Sequence, residues 1–267
     1  MSARLAPMFE QCRAEGRAAL VGYLPGGFPD VASSAQTLRT MVDAGCDLVE
    51  VGVPYSDPVM DGPTIQAAAD TALKAGTRLR DIIAIVEQVS AVGGRAVVMS
   101  YWNPVLRYGV DAFARDLAGA GGLGMITPDL VPDEGSRWMA AAEEQKLDRI
   151  FLLAPSSSEE RIVSTTAAST GFVYAASTMG VTGARNAVSS AAPQLVRRIR
   201  AHSTIPIGVG LGVRSGVQAA EVGAFADAVI VGSALVTAAT EGQRAVGELV
   251  AELAQGVRGS HPATVAP

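Results

Sequence analysis

The stretch Leu48-Val49-Glu50-Val51-Gly52-Val53 runs straight into Pro54-Tyr55-Ser56-Asp57-Pro58-Val59-Met60-Asp61-Gly62-Pro63-Thr64-Ile65-Gln66. The first six residues hold one carboxylate among apolar neighbours. A strand that is apolar along its whole length suits burial on both faces, as in a parallel sheet covered by helices. Side chains alternate across a strand. Val49, Val51 and Val53 therefore share a face suited to packing against helices, and Leu48, Glu50 and Gly52 share the opposite one. The Pro-, Asp- and Gly-rich segment that follows is a rigid turn, and Pro63 suits a helix start.

Seven more short apolar runs of this kind lie along the chain: Ala18–Tyr23, Ala96–Ser100, Gly124–Thr127, Ile150–Ala154, Phe172–Ala176, Ile207–Gly210 and Ala228–Val231. Each is bounded by Gly, Pro, Ser or Asp, and amphipathic segments lie between them. Asp30 reads as the cap of a helix reaching Ala44. Arg78–Val92 carries Leu79, Ile82, Ile83 and Val86 on one stripe. Asp133 or Glu134 opens another helix, and Ser156–Ser158 with Glu159 and Glu160 the next. Eight βα units predict a (β/α)8 TIM barrel, one α/β domain over residues 1–267, with an open doubly wound sheet as the alternative. Ser2–Ala14 reads as an extra N-terminal helix covering the barrel floor, and residues after about Gly256 as a loose tail. In a barrel, chemistry belongs at the C-terminal ends of the strands. Glu50 would then point into the interior.

Composition removes several function classes. The 267 residues are 49% hydrophobic and 18% charged, which excludes a disordered chain. Twenty-one basic and 26 acidic residues give a net charge of −5 with no basic run, against nucleic-acid binding. Cys12 and Cys46 form no metal-spaced or disulfide pattern, so reduced thiols in the cytoplasm are expected. With only His202 and His261, a histidine triad or a multi-histidine zinc site is excluded, and no metal is expected. No secretory signal or membrane-spanning run is visible. Proton chemistry must rest on carboxylates, tyrosine or lysine.

A carboxylate inside a barrel is desolvated, which raises its pKa toward neutrality; a buried structural glutamate would look the same. Asp61 follows Glu50 by eleven residues, with a strand end and a loop between, so two carboxylates can reach one cavity from different depths. Near the C-terminus, Gly208-Val209-Gly210-Leu211-Gly212 and Gly232-Ser233 follow the seventh and eighth strands. Glycines there let backbone N–H groups approach an anion, and a helix N-terminus adds partial positive charge. The seventh and eighth loops are a frequent phosphate position in barrels. A dinucleotide fingerprint fits poorly in both spacing and place.

The chain resembles the α subunits of tryptophan synthase over nearly its full length. The resemblance rests on Glu50–Gln66, on Tyr174 in Gly171-Phe172-Val173-Tyr174-Ala175, and on Gly180-Val181-Thr182-Gly183-Ala184. It implies retro-aldol cleavage of indole-3-glycerol phosphate to indole and glyceraldehyde 3-phosphate. It implies that Glu50 is the catalytic acid/base, Asp61 the second carboxylate and Tyr174 an active-site tyrosine, and that Gly183, Gly212, Gly232 and Ser233 bind the substrate phosphate. It implies no cofactor in this chain and an αββα assembly, whose β subunit carries pyridoxal phosphate and receives indole. That partner would cover the strand ends, where Asp57 and Pro58 stand on the second loop and Asn103 and Pro104 on the third. Phe28, where the family more often has Asp, and Thr178-Met179, where a basic residue is common, depart from the pattern.

Overall fold

The computed structural model describes residues 4–176, 191–210 and 212–259. Eight strands close into a barrel in chain order. They are β1 (Ala19–Pro25), β2 (Leu48–Gly52), β3 (Ala96–Met99), β4 (Gly124–Thr127), β5 (Asp148–Leu153), β6 (Val173–Ala176), β7 (Ile207–Gly210) and β8 (Ala228–Val231). Each pairs in parallel with the next, and β8 returns to β1. The helices are α1 (Ala6–Ala14), α2 (Val31–Ala44), α3 (Pro63–Lys74), α4 (Leu79–Ala91), α5 (Trp102–Tyr108), α6 (Val110–Gly119), α7 (Ser136–Glu144), α8 (Glu159–Ala168), α9 (Ala191–Arg200), α10 (Gly216–Gly223), α11 (Ser233–Glu241) and α12 (Gln243–Gly259). The barrel expected from the sequence is the fold.

Local chemistry explains many of the boundaries. Asp30 caps α2 by accepting from Ser33 N at 2.8 Å, and Gly45 ends that helix at φ +121°. Ser158 and Ser215 cap α8 and α10 in the same way. Alternation along the strands separates two cores. Val21, Leu48, Val97, Ile126, Ile150, Phe172 and Ile230 point inward. Leu20, Val49, Val51, Val98, Phe151 and Val229 point outward against the helices.

The interior is closed from below by α1, as the extra-helix reading expected. Leu5, Met8, Phe9 and Cys12 pack against the lower interior layer, and Phe9 meets Phe172 at 5.8 Å between ring centroids. Asp148, buried at the foot of β5, accepts the Leu5 N–H at 2.8 Å. Arg4 reaches the carbonyls of Gly122 and Gln145. Beside this plug, the Arg17 guanidinium grips both oxygens of Asp47 at 2.8 and 2.9 Å. The floor is thus dry and tied, and the opposite end of the barrel is left for a ligand.

Four expectations need correction. The buried stripe of α4 is Ile82, Ile85, Val86 and Val89, while Leu79 and Ile83 are only partly buried. Asp133 and Glu134 lie in a 3-10 turn (Pro132–Glu134), and the helix proper starts at Ser136. Asn103 and Pro104 stand in the first turn of α5 rather than in a loop; proline is tolerated there because its missing N–H has no helical partner. Helix α12 runs past Gly256 to Gly259, with Val257 buried. Gly256 does not end the helix: a Cβ there would strike the backbone of Gly216, so it lets α12 lie close against α10.

Removing the aromatic plug isolates the floor's contribution. Phe9→Ala is expected to cost about 3–5 kcal/mol of unfolding free energy in urea denaturation. Glu10→Ala, on the exposed side of α1, should stay within about 0.5 kcal/mol.

Candidate active site

Glu50 stands in the middle of β2, opposite Tyr23 on β1 and Val97 on β3. It faces inward, as its register predicted, and is 1% exposed. Its Oε1 has no hydrogen-bond partner, and no described residue bonds to its side chain. Burial, unopposed by any described group, pushes the carboxyl up to about 8. It therefore holds its proton at neutral pH and sits within one unit of releasing it.

Asp61 comes from the loop between β2 and α3. The Tyr101 phenol donates to Asp61 Oδ1 at 3.2 Å and accepts the N–H groups of Val59 and Met60 at 3.2 and 3.0 Å. Gln66 Nε2 holds the Asp61 carbonyl at 2.7 Å. Burial raises the Asp61 carboxyl above its ordinary value, and the Tyr101 hydrogen bond pulls it back. Tyr101 was not among the residues singled out from the sequence, yet it fixes the height of the second carboxylate. Only its place just past a strand end marks it. Its ring also meets Tyr55 at 5.3 Å, and Tyr55 Oη accepts from Asn103 Nδ2 at 3.2 Å.

Tyr174 faces the same cavity from β6, half-buried. Burial, then the charges of Glu50 and Asp61, keep its phenol protonated. It makes no hydrogen bond to Glu50. Two strand-end glycines make room for the rings. A Cβ on Gly52 would meet the Tyr23 hydroxyl, and one on Gly210 the Tyr174 hydroxyl.

The glycine loops lie where the strand register puts them. Gly210 pairs with Ile230, so Gly212 and Gly232 emerge side by side at the mouth. Gly212 adopts φ +67°, a left-handed conformation open to glycine. Helix α11 begins after Gly232 with no side chain capping it, unlike α2, α8 and α10, and Ser233 is buried at its first turn. Among the described residues no side chain caps its leading N–H groups. An open cavity of about 600 Å³ runs mainly along α11 and α12, past Glu241, Glu248 and Glu252, and reaches Ser233 and Thr64 at its edge. Gly183 lies outside the described residues. Among the described residues, no group of three or more His, Cys, Asp or Glu could hold a metal ion.

Asp57 is exposed and accepts from Ser56 Oγ at 2.6 Å. Asn103 is exposed, and Pro58 and Pro104 are half-exposed at the same edge of the mouth. Val59, Leu106 and Val131, which follow β2, β3 and β4, are exposed on that same quarter.

The sequence profile of one protein family, described as "Tryptophan synthase alpha chain", matches residues 9–263. The chain belongs to the tryptophan synthase alpha chain family. A tryptophan synthase alpha chain from Nocardia farcinica is 68% identical over 255 residues, covering 96% of each sequence. One from Mycobacterium tuberculosis is 66% identical over 257 residues, covering 96% of this chain and 95% of its own. The structure of Mycobacterium tuberculosis tryptophan synthase superposes with a TM-score of 0.94 at 65% identity, over 97% of this chain and 99% of that one. A more distant tryptophan synthase subunit alpha, from Legionella pneumophila, still reaches a TM-score of 0.85 at 29% identity, covering 96% and 99%. The resemblance read from Glu50–Gln66 is therefore membership, and the lyase expectation stands.

The environment of Glu50 predicts a stability signature. Between about pH 4.5 and 8 the unfolded chain ionises this carboxyl while the folded one does not, so folding loses stability as pH rises through that window. Glu50→Gln removes the penalty, which is on the order of a few kcal/mol. The Gln variant should melt above the parent at pH 8.5, with the gap narrowing by pH 6, in scanning calorimetry.

Proposed function

We propose that Glu50 and Asp61, with the glycine loops after β7 and β8, carry out the reaction of this alpha chain: cleavage of indole-3-glycerol phosphate to indole and glyceraldehyde 3-phosphate. The observation that carries this reading is the unpartnered, protonated Glu50 carboxyl inside the barrel. Indole is a poor leaving group as a carbanion at C3, so C3 must first be protonated. Glu50 gives its proton to C3, and the ring becomes an indoleninium with positive charge at nitrogen. Asp61, as a carboxylate, accepts the ring N–H and stabilises that charge. The bond between C3 and the glycerol chain then breaks. Its electron pair restores the indole double bond, the adjacent hydroxyl becomes the aldehyde, and its proton returns to Glu50. One group thus acts in both directions, which needs a pKa near the working pH.

Gly212, Gly232 and Ser233, together with Gly183, bind the phosphate in this reading. The uncapped start of α11 supplies backbone donors and a partial positive charge. Tyr174 lines the indole side of the cavity.

The β subunit docks over the quarter of the mouth that carries Asp57, Pro58, Asn103 and Pro104. Exposed Val59, Leu106 and Val131 give that face apolar area. Pyridoxal phosphate belongs to the β subunit, the assembly is αββα, and this chain acts without a cofactor of its own. Contact at Asn103 passes through Tyr55 and Tyr101 to Asp61. Docking therefore steadies the second carboxylate, and indole passes to the partner instead of to water. Among the described residues no helix is long and apolar enough to cross a membrane. The buried free thiols Cys12 and Cys46 fit a reducing cytoplasm.

Indole release is the assay that tests this. Glu50→Gln and Asp61→Asn should each lower kcat by at least about 10²-fold. Affinity for glycerol 3-phosphate, followed by calorimetry, should change little. In the parent, kcat/KM should fall above about pH 8 as Glu50 loses its proton. Near-normal turnover in the Gln variant would make Glu50 structural. Titration with the β subunit should raise indole release, and Asp57→Ala should blunt that rise while leaving KM for the substrate within about twofold. Turnover independent of β would remove the coupling and leave the lyase assignment intact.

A further inference from the structure

Tyr23 has no role in the scheme above, yet it occupies the ground between its two ends. It points inward from β1, 8% exposed, in register with Glu50. Its hydroxyl lies over Gly52, two residues beyond Glu50 on the same inward face: a Cβ at Gly52 would stand 2.5 Å from that oxygen. The base of the same side chain lies against Gly232, whose Cβ would come within 3.4 Å of Tyr23 Cδ1. The ring thus reaches from the start of α11 to the neighbourhood of Glu50. On the reading given above, phosphate binds at one end of that span and C3 is protonated at the other. The three-carbon chain of the substrate, with its hydroxyls, has to cross between them.

The Tyr23 hydroxyl forms no hydrogen bond with any described residue. Burial, followed by the nearby Asp61 and Glu50 carboxyls, holds the phenol well above its ordinary pKa, so it remains a donor throughout the working range. A phenol aimed into the barrel interior can donate to a polar ligand atom placed there.

We propose that Tyr23 is a further substrate-binding residue, whose hydroxyl donates to the glycerol oxygen that loses its proton to Glu50. This rests on the assignment of Glu50 as the acid/base. That oxygen keeps lone pairs free while its hydrogen faces Glu50, so it can accept from Tyr23 at the same time. As the carbon–carbon bond breaks and the proton leaves, negative charge builds on the oxygen before the aldehyde is complete. A donor aimed there binds the transition state more tightly than the ground state, and the gain falls on kcat rather than on KM. The reverse reaction, addition of indole to the aldehyde, uses the same donor on the carbonyl oxygen.

The test is Tyr23→Phe, which removes one oxygen and keeps the ring. Its kcat for indole release should fall about 10- to 100-fold. KM, and the affinity for an indolylpropyl phosphate that has the same chain without hydroxyls, should stay within about twofold. Condensation of indole with glyceraldehyde 3-phosphate should slow by the same factor. A second variant, Gly52→Ala, leaves Tyr23 in place but pushes its hydroxyl aside. It should lower kcat in the parent and lower it much less in a Tyr23→Phe background, as a double-mutant cycle reads. Unchanged kcat in Tyr23→Phe overturns the proposal. So does a loss of affinity for the hydroxyl-free analogue in proportion to kcat, which would make the ring a packing element only. If Tyr23→Phe fails to fold, additive effects of Gly52→Ala and Tyr23→Leu on kcat overturn it, and sub-additive effects support it. If Glu50→Gln is inactive while Tyr23→Phe is not impaired, only Tyr23 loses its role. If Glu50→Gln remains active, the acid/base reading itself fails.

Discussion

A single carboxyl sealed inside a barrel, with one oxygen unpartnered, is the constraint around which this molecule is arranged. Leaving a buried polar atom unsatisfied costs roughly 1–3 kcal/mol, and a charge there costs more. A fold tolerates that expense only if the surroundings keep water out and supply compensation elsewhere. The floor helix α1 does the first. Its Met8 and Phe9 fill the lower barrel, and Asp148 and Arg4 tie it down through backbone hydrogen bonds. The interior strands supply the second with an apolar layer from Leu48, Val97, Ile126, Ile150 and Phe172. Without the plug, water would solvate Glu50 and its pKa would fall toward the ordinary range, removing at neutral pH the proton that the proposed reaction draws on.

The second carboxylate is held by a different principle. Glu50 is placed by strand register, which shifts only in steps that reverse faces. Asp61 is placed by a loop, and loops have no ladder to fix them. Its position is fixed instead by one phenol. Tyr101 binds two loop N–H groups and the carboxylate together, and Gln66 holds the neighbouring carbonyl. The two environments differ. Among the described residues Glu50 has no hydrogen-bond donor, and burial keeps it protonated. Asp61 has one and is less deeply buried, so burial raises its carboxyl while the Tyr101 hydrogen bond pulls it back. The two roles proposed for these chemically similar groups, proton carrier and negative charge, therefore rest on what surrounds each.

Much of this was legible in the sequence because it depends on period and punctuation. Eight short apolar runs bounded by turn residues give the barrel, and a period of two puts Glu50 inside. What stayed illegible depends on contacts between distant segments. No spacing links Tyr101 to a loop forty residues earlier, so its hold on Asp61 emerges only from the fold. The residues after Gly256 read as a loose tail because a glycine near a helix end fits a fraying terminus as well as a close helix crossing; only the position of Gly216 tells the two apart. Asn103 and Pro104 look like a loop because proline is a poor helix former, except in the first turn where they stand. Tyr23 reads as one more apolar residue of its strand. Its significance lies in two glycines, on β2 and after β8, that the barrel brings to either end of its ring.

The two ends of the barrel differ in how they are held, and this bears on how the site can move. The floor is joined by aromatic packing, a buried aspartate and a bidentate Arg17–Asp47 pair, all of which resist displacement. The mouth around β2, β3 and β4 is joined by individual hydrogen bonds, from Asn103 to Tyr55, from Trp102 N–H to Asp129 and between Tyr101 and the Val59–Asp61 segment, and by the Tyr55–Tyr101 ring contact. Each such bond contributes only about 0.5–1.5 kcal/mol net. Exposed Val59 stands in the same loop, 68% accessible, with no apolar cover of its own. Covering that loop with an apolar partner surface would add burial energy comparable to the bonds that now position Asp61. A partner can therefore bias the loop, and with it the second carboxylate, without disturbing the strand that carries Glu50. In the proposed reaction, the proton carrier thus belongs to the rigid part of the molecule, and the group that stabilises the cation to the part a partner can reach.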